Sequence, residues 1–284
     1  MKQILSHVTI IVIIFSSISI NSQNNEYIFN WDLKSKIITY QIKNYNLSNE
    51  NIKINDIFTN KKTDLEFPVE SSMTILLKQY NDSDITINIY IDNTDNNQSS
   101  NKNAKDNLNE KISIKELMEK ISGKIAIIGR IENNGNMKSF WLRESQRNLI
   151  TLLFGLPMRS VKIGDSWDLN LNLLNTDPTF KCIDSRKSTK VNFDSIEYDS
   201  NKEIIAIFKY DIIEKIKGES GFGNIDWEMS FKGIGKYNYT KKEWKSLKLI
   251  NTTLLKGGIM QGNNKQLMEL KKIDSIPEKY TVIE

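Results

Sequence analysis

Apolar and polar residues alternate along most of this chain, and the alternation predicts strands. Ile85, Ile87, Ile89 and Ile91 are separated by Thr86, Asn88 and Tyr90, which places four isoleucines on one face of an extended segment. Residues 37–42 and 52–58 are weaker strand candidates, and 73–80 is a mixed one. Ile125, Ile127, Gly129 and Ile131 alternate with their neighbours, Asn133-Asn134-Gly135-Asn136 supplies an Asn-Gly turn, and residues 137–142 return, so 124–142 reads as a hairpin. Trp167, Leu169, Leu171 and Leu173 share one parity, with Asp168, Asn170 and Asn172 on the other, which predicts a half-buried antiparallel strand. Residues 191–198 and 203–213 form a second hairpin around Asp199-Ser200-Asn201. In 227–239 the residues Trp227, Met229, Phe231, Gly233, Gly235, Tyr237 and Tyr239 fall on one face, a long strand with an aromatic side. After a Thr240-Lys241-Lys242 turn, 244–255 and 265–273 continue the meander.

A helical period is expected twice. Ser113 to Ile121 has capping-box spacing between Ser113 and Glu116, with Gly123 placed to end the helix. In 143–156, Leu149, Leu152, Leu153 and Leu156 lie on one helical face before Pro157, and that face should pack on a sheet. The fold class these elements predict is α+β and mostly β: a strongly curved antiparallel sheet or half-open barrel with one or two packing helices.

The pattern breaks at both ends of the N-terminal region. Lys2, an apolar run from Val8 to Ile20 and a polar, asparagine-rich continuation have the layout of a secretory signal peptide over residues 1–23. The run is 13 residues long and contains four Ser or Thr, short of the roughly 20 apolar residues a spanning helix needs, so no stable transmembrane anchor is expected. Residues 24–91 then form an N-terminal β region. In 92–111 only Ala104 and Leu108 are apolar, so this stretch is expected to be a flexible linker or loop. Its Asp92 and Asp95 lack the acidic spacing and glycine of an EF-hand calcium loop. Residues 112–284 make the main curved-sheet region, which can be continuous with 24–91 as one domain.

Composition narrows the chemistry. Lys plus Arg number 39 and Asp plus Glu 35, intermixed along the chain, a balance that gives solubility and implies no polyanionic partner. The sole cysteine, Cys182, has no partner for an internal disulfide and is expected as a small buried apolar side chain. The sole histidine, His7, falls inside the expected signal peptide. Without it the mature chain has no imidazole for a Ser-His-Asp or Cys-His nucleophile, nor for a histidine-containing zinc site, so no catalytic residues, metal or cofactor are assigned.

Residues 156–167, Leu-Pro-Met-Arg-Ser-Val-Lys-Ile-Gly-Asp-Ser-Trp, are the most distinctive segment. Pro157 ends the helix, Gly164 permits positive φ, Asp165 can bond nearby backbone N–H groups, and Trp167 is expected to enter the core. The segment resembles a family of uncharacterised exported bacterial proteins, a domain of unknown function, in which a helix ends in Leu-Pro and leads through Val-Lys-x-Gly-Asp-Ser-Trp into a strand. The resemblance covers roughly residue 125 to the C-terminus and implies an architecture without a chemistry. Many members are lipoproteins, whereas no cysteine follows the apolar run here.

Carboxylate pairs occur at Asp165/Asp168, Asp211/Glu214 and Asp226/Glu228, and only facing groups in a cleft would make them an acid and base. Gly218, Gly221 and Gly223 read as a turn between strands, not as a dinucleotide fingerprint. Lys241, Lys242, Lys245 and Lys248 near Tyr239 and Trp244 form a basic-aromatic cluster, but the intermixed acids argue against nucleic acid. These readings converge on a non-enzymatic exported protein, periplasmic or secreted, acting as a binding or interaction module of the cell envelope. The partner would be an envelope protein or an apolar ligand. One alternative is a carrier of a small apolar ligand or lipid, bound by Trp227, Phe231 and Tyr237 where Gly233 and Gly235 leave room. The other is a carboxylate-based hydrolase. Intact mass of the protein recovered from its host should place the mature start between residues 20 and 25, and recovery of the full-length chain in membranes would refute the processing.

Overall fold

The period-two segments pair into one antiparallel sheet of eleven strands. The computed structural model describes residues 25–34, 36–47, 69–92, 122–140, 144–174, 176, 178–221, 223–257 and 261–274. The first strands are β1 (Ile37–Asn46), β2 (Val69–Gln79), β3 (Asp84–Ile91), β4 (Ile125–Glu132) and β5 (Met137–Phe140). One helix, α1 (Glu144–Phe154), follows. Then come β6 (Ser166–Asp168), β7 (Lys181–Tyr198), β8 (Ile204–Ser220), β9 (Gly223–Asn238), β10 (Glu243–Gly257) and β11 (Gly262–Ile273). The order across the sheet is β5-β4-β3-β2-β1-β11-β10-β9-β8-β7-β6. First and last strands therefore pair in the middle, Tyr40 opposite Lys272 and Ile42 opposite Leu270, so 24–91 and the C-terminal region share one sheet. The two edge strands, β5 and β6, are consecutive in the chain and are linked through α1. The sheet is strongly curved and does not close into a barrel.

Alternation puts Ile42, Ile75, Ile87, Phe193, Phe208, Tyr237 and Leu249 on the inner face, all with 0% exposure. The space above them is filled from two sources. Helix α1 contributes Ile150, Leu152, Leu153 and Phe154, with Leu156 just beyond it, all buried, and Leu149 packs partly buried beside them. The other source is an extended segment, residues 25–34, whose Phe29, Trp31 and Leu33 are each at most 1% exposed. Tyr27 exchanges both backbone hydrogen bonds with Val161, at 2.8 and 3.0 Å, which lays this segment across the concavity. Phe29 packs edge-on against Phe193, Phe208 and Tyr237 with centroids 5.0–5.7 Å apart. The Tyr237 hydroxyl donates to Asn30 O, and burial pushes both the Tyr237 and Tyr40 phenols well above their ordinary pKa, so both remain protonated.

Several expectations change. The strand over 167–173 shrinks to Ser166–Asp168, because after Leu169 N–H donates to Thr189 O the backbone donors leave the ladder: Leu171 N–H turns back to Leu169 O, Asn172 N–H bonds Asn148 Oδ1, and Leu173 and Leu174 N–H bond Glu214. Cys182 is exposed, since the outer half of β7 projects past β6 and carries no layer above it. Gly218 lies inside β8 rather than in a turn, close against Phe180. Asp92, expected at the start of the linker, is buried and accepts hydrogen bonds from the Ser72 and Thr74 hydroxyls. The candidates at 1–23, 52–58 and 113–121, and residues 93–111 of the expected linker, lie outside the described residues.

Two glycines separate strain from collision. Gly135 has φ +86° and an added Cβ would sit 1.9 Å from Phe154 O, whereas Gly164 has φ +94° with open space around it. Gly164→Ala should cost roughly 1–2 kcal/mol, the left-handed penalty alone. Gly135→Ala should cost clearly more, because the backbone must also move. Chemical denaturation of the two variants checks the order, and equal losses would mean that the hairpin yields freely.

Candidate functional site

Where the two sheet edges face each other without pairing, a cleft of about 690 Å³ opens. Its walls are Glu132 and Met137 of the β4–β5 hairpin on one side and Trp167 and Asp168 of β6 on the other. Arg147, Asn148 and Thr151 of α1 form its floor, and Pro157, Met158 and Arg159 of the following loop close one end. Arg147 and Thr151 are four residues apart and so share a helix face.

Local hydrogen bonds fix this geometry. Asn148 Nδ2 donates to Asn172 O while Asn148 Oδ1 accepts from Asn172 N at 2.9 Å, so one side-chain amide docks the chain after β6 onto α1. Glu214 Oε2 accepts from Leu173 N at 2.6 Å and anchors the next residues to β8. The turn before the cleft is built as expected: Gly164 takes positive φ and Asp165 Oδ2 accepts from Lys162 N at 2.9 Å. Trp167 is half-buried and meets the Phe208 ring edge-on at 5.2 Å. Its indole Nε1 is buried yet has no hydrogen-bond partner. Arg147, Arg159, Asp168 and Asn170 are exposed, and their side chains make no hydrogen bond or ion pair among the described residues. Glu132 accepts from Asn134 Nδ2 at 3.3 Å and Asn136 Nδ2 at 3.4 Å.

Beyond the Pro157–Ser160 ridge lies a second cleft of about 460 Å³, containing Asp84 and Lys138. Lys138 Nζ bonds both Asp84 oxygens, at 2.9 and 2.8 Å, and this bond holds the carboxyl below its usual range against the opposing effect of burial. A third cleft, about 420 Å³, sits at the far tips of β7–β10 beside Ile183 and Ile225.

Tyr237, Phe231 and Trp227 share a face as expected but line none of these three clefts. Tyr237 is fully buried; Phe231 and Trp227 are half-buried along β9. The room left by Gly235 is taken by Trp244, whose ring would lie 2.9 Å from an added Cβ, and that at Gly233 by Lys248 O and Leu249. Of the carboxylate pairs, Asp165 and Asp168 flank the Trp167 turn, and Asp211 pairs with Lys232 at 3.2 Å. Asp226 and Glu228 both pair with Lys215, at 3.5 and 3.6 Å on the polar face. In the lysine cluster, Lys241, Lys245 and Lys248 meet Glu203, Asp199 and Glu269, while Lys242 lies 3.7 Å above the Tyr239 ring. Sequence reasoning missed Arg147, Arg159, Asn170 and the anchoring role of Glu214. Only the unusual scarcity of arginine, five against thirty-four lysines, marked the first two.

No family model matches the chain, and no curated protein matches it.

Glu214→Leu should leave the Leu173 and Leu174 N–H groups without acceptors and cost roughly 1–3 kcal/mol. Hydrogen exchange should quicken at those two amides and along 169–174 while β2 and β3 stay protected; unchanged exchange there would remove Glu214 from the support of the cleft.

Proposed function

We propose that this protein is an exported, non-enzymatic binding module of the cell envelope, periplasmic or secreted, and that the seam cleft between β5 and β6 is its binding site. The observation that carries the reading is a concave site between a helix and two strands whose polar side chains, Arg147, Arg159, Asp168 and Asn170, have no partners among the described residues. The leader-like layout of residues 1–23 supports export. A second reading, a carboxylate-based hydrolase, rests on Glu132 and Asp168 lining the same cleft. It has less support, because Glu132 is engaged by two amides and Asp168 is exposed, so neither occupies the apolar surroundings of a general acid. A carrier for an apolar ligand has less support as well, since aromatic side chains fill the concavity over Tyr237.

Native mass spectrometry of protein purified from its own host should detect a bound species, and Asn170→Trp, which fills the cleft from an exposed position, should abolish its recovery without changing thermal stability. Capture undiminished by Asn170→Trp would place the site elsewhere. Hydrolysis of a glycoside that is lost in Asp168→Asn would establish the enzyme instead.

A further inference from the structure

We infer that the seam cleft takes a small polyhydroxylated oxyanion, a molecule bearing a carboxylate or phosphate beside a hydroxyl; this rests on the reading of that cleft as the binding site. Among the described residues its positive charge comes from guanidinium groups. Thirty-four of the 39 basic residues are lysines, yet no described lysine lines the cleft, whereas Arg147 and Arg159 do. A planar guanidinium matches a carboxylate or phosphate bidentately, which an ammonium cannot. Arg147 and Arg159 project from α1 and the loop directly after it, so the same packing that seats the helix sets both.

The lining holds two acids against the two arginines and is formally neutral among the described residues. Its donors are nevertheless in surplus: Glu132 already accepts from the Asn134 and Asn136 amides. That leaves two guanidiniums against the single Asp168 carboxylate without side-chain partners among the described residues. The arginines fit the oxyanion, and Asp168 fits a neighbouring hydroxyl as donor. Asn170 supplies a further amide. Trp167 adds an independent indication. Trp167 lines the same cleft, and its buried Nε1–H has no acceptor among the described residues, a lack that costs roughly 1–3 kcal/mol and leaves an uncommitted donor beside the site.

The test is a titration of the isotope-labelled full chain with three probes: D-gluconate, inorganic phosphate and the neutral analogue D-glucose. The indole N–H resonance of Trp167, identified by its loss in Trp167→Phe, is the readout. Gluconate, phosphate or both should move it saturably and glucose should not; whichever anion binds more tightly identifies the oxyanion. Arg147→Gln combined with Arg159→Gln should weaken binding about tenfold or more, the loss expected for charged hydrogen bonds, while Arg186→Gln on β7 changes nothing. Equal binding of glucose and gluconate, or an unaffected double variant, overturns the oxyanion and leaves the cleft as a site. Silence from all three probes overturns it too; if Asn170→Trp still abolishes capture from the host, the binding reading survives, and otherwise both fall.

Discussion

The architecture depends on how the C-terminal end of α1 is satisfied inside the sheet. The last carbonyls of a helix have no intrahelical donors, and burying them unpaired is costly. Here two tryptophan indoles supply the donors: Trp244 Nε1 reaches Leu153 O at 2.6 Å and Trp31 Nε1 reaches Phe154 O at 3.0 Å. One indole comes from β10 and the other from the extended segment at residues 25–34, so one helix terminus binds together parts of the chain more than 200 residues apart. Both indoles are fully buried and lie edge-on to each other at 6.1 Å. Trp31 N–H also donates to Asn133 O at 2.6 Å, and Leu156 N–H to Asn134 O at 3.3 Å, which ties the hairpin turn to the same point.

That anchorage explains why the sheet curls without closing. A helix seated in the concavity, with Phe29, Trp31 and Leu33 beside it, occupies the interior that a closed barrel would fill with its own side chains. The edges then stay apart, and both end strands are short, four residues in β5 and three in β6, so β6 covers only the middle of β7. The outer halves of β7 to β9 project beyond this core. Cross-strand pairs of Lys215 and Lys217 on β8 with Asp226 on β9 stud their polar face with charge.

Strands were legible in the sequence because their period is imposed by the sheet itself; Ile85, Ile87 and Ile89 are the clearest case, although Asn88 and Tyr90 on the opposite face are buried as well. Residues 25–34 carried the same signal, with Tyr27, Phe29, Trp31 and Leu33 at alternate positions, but their asparagine-rich neighbourhood masked it. Where periodicity misled, a side chain had captured the backbone: Trp167 to Leu173 alternates like a strand, yet Asn148 and Glu214 claim its N–H groups. Cys182 was misjudged because residue type predicts burial only where a second layer exists. The cleft was not legible, since Arg147 on the helix, Arg159 in the loop and Asp168 on an edge strand meet only through the overall closure of the fold.

On the proposed reading of the cleft, stability and recognition fall to different residues. Those that define the cleft's chemistry, Arg147, Arg159, Asp168 and Asn170, are exposed and hold nothing else in place. Those that set its shape do so from beneath: the two indoles fix α1, Gly135 lets the hairpin turn approach Phe154 O, and Glu214 and Asn148 seat the chain after β6. Substitutions at the exposed set should therefore cost little to folding, whereas losses at the supporting set change both folding and the shape of the cleft. Since interiors are close-packed and respond to shifts of a single methylene, the supporting set constrains the position of every group in the cleft. Along the open seam, exposed side chains such as Arg147 and Asp168 can vary without disturbing the packing around Trp31 and Trp244.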